Sequence, residues 1–464
     1  MGREAAIAAA VACLETGVLR DRLARRVAMA TESQSPEQRP LLAAYLEEEL
    51  APDLSAMGFD CSVETHENWP FLIAQRIEDP ARPTVLGYGH GDVVSGMVDQ
   101  WEEGLSPWVL RDRNNRWYGR GTADNKGQHT INLLALDAVL RVRGQLGFNA
   151  KFLFEMGEEV LSPGLHSFAA ARKSTLSADL FIASDGPRLS ADRPTLFLGS
   201  RGAISFDMWV DAREGDHHSG NWGGLLADPA IQLANAIASV AGPTGRILVP
   251  KWLPQSIPQS VRKALADCEI LDLPDGPKID PDWGDPGLTP AEKLYAWSSF
   301  CVLAFEAGNP RAPANAISHR AWARCQLRFV VGVDEEDILP ALRQHLDEGG
   351  FKYVNVAPAL GQMFRATRLD PDNPWVRWCA DSIARTTGQS PAILPSLGGG
   401  LPNDAFSEGL GLPTIWVPHS YPACSQHAPN EHLPVAIARE GLAIMAGLYW
   451  DLGEANAATV SQAG

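Results

Sequence analysis

"KFLFEMGEEVLSPG", Lys151 to Gly164, places four apolar side chains, Phe152, Leu153, Phe154 and Met156, just before two adjacent acids, Glu158 and Glu159, and a Ser-Pro-Gly turn. A short apolar run bounded by turn residues fits a fully buried strand. Its two terminal acids have a plain reading, a strand end meeting solvent, and a chemical one. The neighbouring sequence decides the fold. Between residues 84 and 185 short apolar runs alternate with helical patterns, as parallel βα units do. "TVLGYGHGD" is one strand. "DNKGQHTINLLALDAVLRV" sets Ile131, Leu134, Ala135 and Ala138 on one face and predicts a helix from near Gly127. "ADLFIASDGP" and "LPTIWVPHSY" add two more buried strands.

Functional groups in open α/β sheets gather beyond the carboxyl ends of strands. Waiting there are His90 with Asp92, Glu158 with Glu159, Asp185, and the segment leading to His427. The middle of the chain differs. "LGSRGAISFDMWVDAR", "HRAWARCQLRFVVG" and "FKYVNVAPA" read as strands, with "DPAIQLANAIASV" and "DEEDILPALRQHLD" as helices between them. That α+β order suggests a ferredoxin-like unit. A Pro-, Gly- and Asp-rich span from about Pro250 to Pro290 reads as a long surface loop with short helices. The expected organisation is residues 1–199, an insertion over 200–365, and a return to the first domain over 366–464.

With 464 residues the chain exceeds the usual size of one core, and 45% hydrophobic with 20% charged residues is ordinary for a globular protein. A formal charge of -17 argues against nucleic acid and anionic membranes as partners. Charges at Arg3, Glu4, Glu15, Arg20, Asp21 and Arg22 interrupt the N-terminal apolar pattern, and seven scattered cysteines form no CxxC pair. These features lead to the expectation of a cytoplasmic protein with free thiols.

Nucleophile-elbow, phosphate-loop and HExxH motifs are absent. Imidazoles and carboxylates at strand ends are the ligand types of a two-metal hydrolytic site, in which paired cations activate a water and polarise a carbonyl. One of two adjacent acids would then bind metal while its neighbour moves protons. Taken singly, His90 and Asp92 also read as a capped loop, Asp124 as a helix N-cap, Asp185 as a turn residue and His427 as a surface histidine.

"GHGDVV", "YGRGTADNKGQ", "EMGEE", "SDGP", "HSGNWGG" and "HAPNEH" occur in that order over residues 88–432. Together they resemble the motifs of the co-catalytic metallopeptidase family that includes carnosinase, glutamate carboxypeptidase G, aminoacylase, acetylornithine deacetylase and succinyl-diaminopimelate desuccinylase. The resemblance implies an α/β catalytic domain with a mixed, largely parallel sheet, plus an inserted ferredoxin-like lid that also dimerises. It implies two divalent metals, zinc by default with manganese or cobalt also suited. His90 and Asp185 would hold the first metal, Glu159 and His427 the second, and Asp124, joined to Asn125 by a cis peptide, would bridge them. Asp92 would orient His90, and Glu158 would be the general base for a metal-bridged hydroxide. His218 would reach the substrate from the lid, in cis or from a partner subunit. Asn315, Arg328, Gly399 and Gly400 would contact substrate, although this chain has Gly400 where the family commonly has serine. The implied reaction is hydrolysis of an amide-type C–N bond in a dipeptide or N-acyl amino acid. A specialised aminohydrolase and a non-catalytic binding protein are the alternatives.

Overall fold

The computed structural model describes residues 2–270, 277–359 and 363–455. The described chain divides into two compact units. Helix α1 (Arg3–Glu15) leads to strands β1 (Asp60–His66), β2 (Trp69–Arg76) and β3 (Thr84–His90), then helix α2 (Lys126–Arg143), β4 (Asn149–Glu155), β5 (Leu180–Ala183) and β6 (Thr195–Phe197). The inserted elements are β7 (Gly202–Asp211), helix α3 (Pro229–Val240), β8 (Ser299–Ala307), β9 (Arg320–Phe329), helix α4 (Ile338–Glu348) and β10 (Asn355–Pro358). The chain then returns through helix α5 (Pro374–Thr387), β11 (Ala392–Leu394), β12 (Thr414–Trp416) and helix α6 (Val435–Glu454).

The first unit comprises Met1–Gly199, Leu369–Pro395 and Pro402–Gly464, and its eight-stranded sheet has the order β1-β2-β4-β3-β5-β12-β6-β11. The centre, β4-β3-β5-β12, is parallel, while β1 and β2 extend one edge antiparallel. Every residue of β4 is buried, as its uninterrupted apolar reading predicts. β3 accommodates the aromatics of β4 by giving up side chains. A Cβ on Gly87 would lie 2.4 Å from the Phe152 ring, so "TVLGYGH" alternates glycine where a neighbour's phenyl must lie flat. Helices α1, α2 and α6 pack together, with α5 against α6. α2 begins abruptly because Gly127 passes under its own entry loop, where a Cβ would stand 1.9 Å from the Thr122 carbonyl oxygen. That entry loop carries Asp124.

The second unit comprises Ser200–Arg368 and Ser396–Leu401, so it includes a short segment, 396–401, from the part read on sequence as first-domain return. Its antiparallel sheet has the order β8-β9-β7-β10. With α3 after β7 and α4 after β9, this is the βαββαβ order of a ferredoxin-like unit. Phe206, Leu233, Trp252, Phe300, Leu327 and Leu342 form its core. The sequence reading lacked β8. A register shift between Val302 and Ala304 breaks its alternation, and Val302, Leu303 and Phe305 are exposed on the sheet edge. Of the span 250–290, residues 271–276 lie outside the described residues; the rest contains a 3-10 turn at Pro250–Trp252 and a helix at Gln259–Leu265.

Candidate metal centre

The ends of β3, β4 and β5 and the start of α2 converge in the first unit, joined by the loop carrying His427. Asp124 divides its carboxylate: Oδ1 lies 3.1 Å from His90 Nε2, and Oδ2 lies 3.1 Å from His427 Nε2. Asp185 Oδ2 is 3.5 Å from the same His90 nitrogen, and Glu159 Oε2 is 3.0 Å from the same His427 nitrogen. Two ligand groups result, His90–Asp124–Asp185 and Asp124–Glu159–His427, sharing Asp124. The Asp124–Asn125 peptide is cis, in line with the resemblance.

His90 is fully buried, and its Nδ1 faces Asp92, 3.1 Å from the backbone oxygen and 3.3 Å from Oδ1. With that nitrogen engaged, Nε2 is the one aimed at the carboxylates. Asp92 does a second task that the sequence did not reveal. Its Oδ1 accepts the Glu158 backbone N–H at 3.2 Å and its Oδ2 that of Glu159 at 3.1 Å. One acid thus orients an imidazole and fixes the turn that presents both glutamates. His427 is held in left-handed backbone geometry, φ 58°, as is Ser425 before it, φ 57°. A non-glycine residue keeps that conformation only where its surroundings demand it.

Among the protein's own groups the charges are unbalanced. Burial, reinforced by Glu159, Asp185 and Asp124 and opposed by His90, pushes Glu158 well above the usual carboxylate range. Glu159 is pushed up to about 7 by burial and Asp124. Burial would also raise Asp124, but His427 and His90 hold it low. Asp124 and Glu159 in turn raise His427 to about 11. Five carboxylates (Asp92, Asp124, Glu158, Glu159 and Asp185) face two imidazoles. Nitrogen and carboxylate donors in two triads with a split bridging acid fit two divalent cations, which supply the missing positive charge.

The sequence reading missed Glu431, inside the "HAPNEH" motif. This buried carboxylate accepts the N–H groups of Gly121 at 3.0 Å, Ala123 at 2.8 Å and Asp124 at 3.0 Å. Its Oε2 also pairs with buried Arg120, 2.9 Å away, whose Nη1 donates to the Ala428 carbonyl. Glu431 therefore ties the loop of Asp124 to the loop of His427. Buried His129 bridges Tyr45 and Asn125 at 2.8 and 3.1 Å and so holds the residue that follows Asp124.

The remaining predicted residues lie in the second unit. His217–His218 pairs with Ala316–Ile317, and the Ser219 N–H donates to the Asn315 carbonyl, so His218 and Asn315 are neighbours. Gly399 and Gly400 lie in the 396–401 segment. A Cβ at Gly400 would stand 2.8 Å from the Phe364 ring, so a serine there would require that ring to move. Arg328 sits on β9, half-buried.

Residues 86–451 match the model of peptidase family M20/M25/M40, and the chain belongs to that family. It is 34% identical over 192 residues to the β-Ala-His dipeptidase of Mus musculus, covering 41% of this chain and 39% of that protein. The match thus spans about two fifths of that relative's length. With the cysteinylglycine-S-conjugate dipeptidase of Corynebacterium striatum it shares 25% identity over 395 residues, covering 82% of this chain and 84% of that one. The M20 family metallo-carboxypeptidase of Sulfolobus solfataricus has the same fold, with a TM-score of 0.78 at 22% identity, covering 94% of this chain and 99% of that one.

Proposed function

We propose that the protein is a metal-dependent hydrolase of small peptides, acting on a dipeptide or an N-acyl amino acid. The observation that carries this reading is the divided carboxylate of Asp124, one oxygen toward His90 and Asp185 and the other toward His427 and Glu159. His90, Asp124 and Asp185 would hold one cation, and Asp124, Glu159 and His427 the other, zinc by preference and manganese or cobalt as substitutes. Such a pair, when bound, polarises a carbonyl and acidifies water. Glu158, beside the cluster yet outside both ligand triads, is the base: its carboxylate takes the proton of the attacking water and delivers it to the leaving nitrogen. Asp92 keeps the Glu158–Glu159 turn and the His90 ring in register.

The domain roles follow the chemistry, with residues 1–199 and 366–464 catalytic and 200–365 the lid. His218 with Asn315 would meet the substrate's reacting oxygen, and Arg328, Gly399 and Gly400 its remaining polar groups. The exposed apolar edge of β8 supports a homodimer through the lid, checked by sedimentation. Seven cysteines without a disulfide support a cytoplasmic location, and no helix among the described residues is long and apolar enough to cross a membrane.

The test is to strip the protein of metal, restore zinc, manganese or cobalt, and assay β-Ala-His, Cys-Gly, N-acetyl amino acids and aminoaromatic compounds. Metal-dependent release of amino acids from the first three is expected. Ammonia release without an amino acid product would replace this reading with an aminohydrolase, and tight binding without turnover would replace it with a binding protein.

A further inference from the structure

Helix α2 is buried on every side along its first half, yet Asn125 at its N-cap, Gln128 and Asn132 put three amides on one face. Asn125 Nδ2 donates to the Ser184 carbonyl at 2.7 Å, and Gln128 Nε2 donates to the carbonyls of Ala123 at 2.8 Å and Gly186 at 3.4 Å. Asn132 Nδ2 donates to Ser184 Oγ at 2.9 Å. The segment after β12 closes the network. His419 Nε2 lies 3.1 Å from both Ser184 Oγ and Asn132 Oδ1, and its backbone N–H donates to Gln128 Oε1 at 2.7 Å. Ser420 Oγ donates to the Gly186 carbonyl at 3.0 Å.

Buried amides and hydroxyls cost stability unless they are bonded, and an apolar stripe would fill the same space at less risk. What these bonds share is their destination. Ser184 and Gly186 flank Asp185, while Ala123 and Asn125 flank Asp124. Asp124 has a second support, because Glu431 accepts its N–H and that of Ala123. Beyond its approach to His90, the Asp185 carboxylate takes only the adjacent Gly186 N–H, at 2.6 Å, among the described residues. Its position therefore depends on Ser184 and Gly186, and theirs on the network.

His419 fixes the direction of these bonds. Its Nδ1 has no partner among the described residues and faces Gly441, where a Cβ would stand 2.8 Å away. Burial, with Arg188 adding to it, pushes the imidazole well below its usual range, so the ring is neutral and carries one proton. A buried N–H without an acceptor is costly, which puts that proton on Nε2, donated to Asn132 Oδ1.

We propose that Asn132, Ser184 and His419 are positioning residues for one of the two metals: they set Asp185 against Asp124 and govern the affinity of the cation that His90, Asp124 and Asp185 would hold. The Asp124–Glu159–His427 cation has other supports, Asp92 at the Glu158–Glu159 turn and Glu431 at the His427 loop.

Because this role presumes the two-metal reading, its test separates the two. Metal-stripped full chain is titrated with zinc against a chelating indicator dye, in the wild type and on two backgrounds that each keep one triad. His427→Ala keeps His90–Asp124–Asp185, and Asp185→Asn keeps Asp124–Glu159–His427. On the first background Ser184→Ala and His419→Leu should each weaken zinc ~10–100-fold, the usual cost of disturbing groups that orient ligands. On the second they should leave its affinity unchanged. His419→Gln, which keeps an N–H for Asn132 Oδ1, should recover most of the loss. Ser184→Ala removes one oxygen with little change of shape, so it decides the question even if His419→Leu fails to fold. Equal weakening on both backgrounds would mean a general loosening of the unit, and unchanged affinity on the first would mean that Asp185 needs no such support; either overturns the proposal while the metal reading stands. A wild-type chain that takes up no zinc would overturn both.

Discussion

The two units leave opposite charges unanswered. In the first, acids crowd around two imidazoles at the ends of β3, β4 and β5, and Asp124 divides itself between His90 and His427. In the second, Arg201 and Arg328 stand near one another with carbonyl and hydroxyl partners but no acid among the described residues. Arg120, equally buried, is by contrast paired with Glu431. A buried or crowded charge without a counter-charge costs stability, so where it persists the missing charge belongs to something that binds. In the first unit the excess is of acids in two ligand triads, the arrangement that cations answer.

The hardest test of the first half removes the shared acid. Asp124→Ala should abolish peptide turnover and lower the metal content at both positions, because each triad loses the same member; elemental analysis finding two ions per chain would break the bridge assignment. Next comes the division of labour between neighbours. Glu158→Gln should keep both metals and lose at least ~10²-fold in kcat, the lower range for a general acid–base group. Glu159→Gln should lose metal instead. Equal metal loss in the two variants would mean that the adjacent acids share one role. A smaller effect is expected one layer out, at Glu431. Glu431→Gln retains an acceptor for the loop N–H groups but leaves Arg120 without its counter-charge. Metal affinity should fall ~10–100-fold, the usual cost of disturbing a group that orients ligands. A titration of metal-stripped protein with zinc measures it, and unchanged affinity would make the Arg120–Glu431 pair a purely structural tie.

How much of this was legible in the sequence depended on how local each signal was. β4 and α2 could be read because an uninterrupted apolar run and a 3.6-residue stripe are complete within a few residues. The candidate ligands were legible because six short motifs kept their order. Glu431 sits within one of those motifs yet escaped notice, since its partners Gly121, Ala123 and Asp124 lie about three hundred residues away in sequence. The second task of Asp92, holding the Glu158–Glu159 turn, was hidden for the same reason. β8 was missed on different grounds: its bulge breaks the alternation, and its apolar residues face outward, so neither face reads as core. The unpaired state of Arg201 could not be read at all, because the absence of an acid is a property of the folded neighbourhood and not of any stretch of chain.

The smallest expected effect isolates that last point on a single strand. Arg324 and Arg328 share one face of β9, since residues four apart on a strand point the same way. Across from Arg324 stands Asp207, and Nη2 donates to Oδ2 at 3.1 Å; across from Arg328 stands Ala203. The two arginines therefore differ in counter-charge more than in secondary structure. Arg324→Met removes a partly exposed, already neutralised pair, which salt and solvent make worth little. Its unfolding midpoint should stay at that of the wild type within the error of a thermal scan, and its KM for a dipeptide should be unchanged. Arg328→Met, by contrast, takes away an unanswered charge placed to meet the substrate and should raise that KM several-fold. If the two variants raised KM equally, the substrate would be responding to the general positive field of the sheet and not to the one arginine of the pair that lacks an acid.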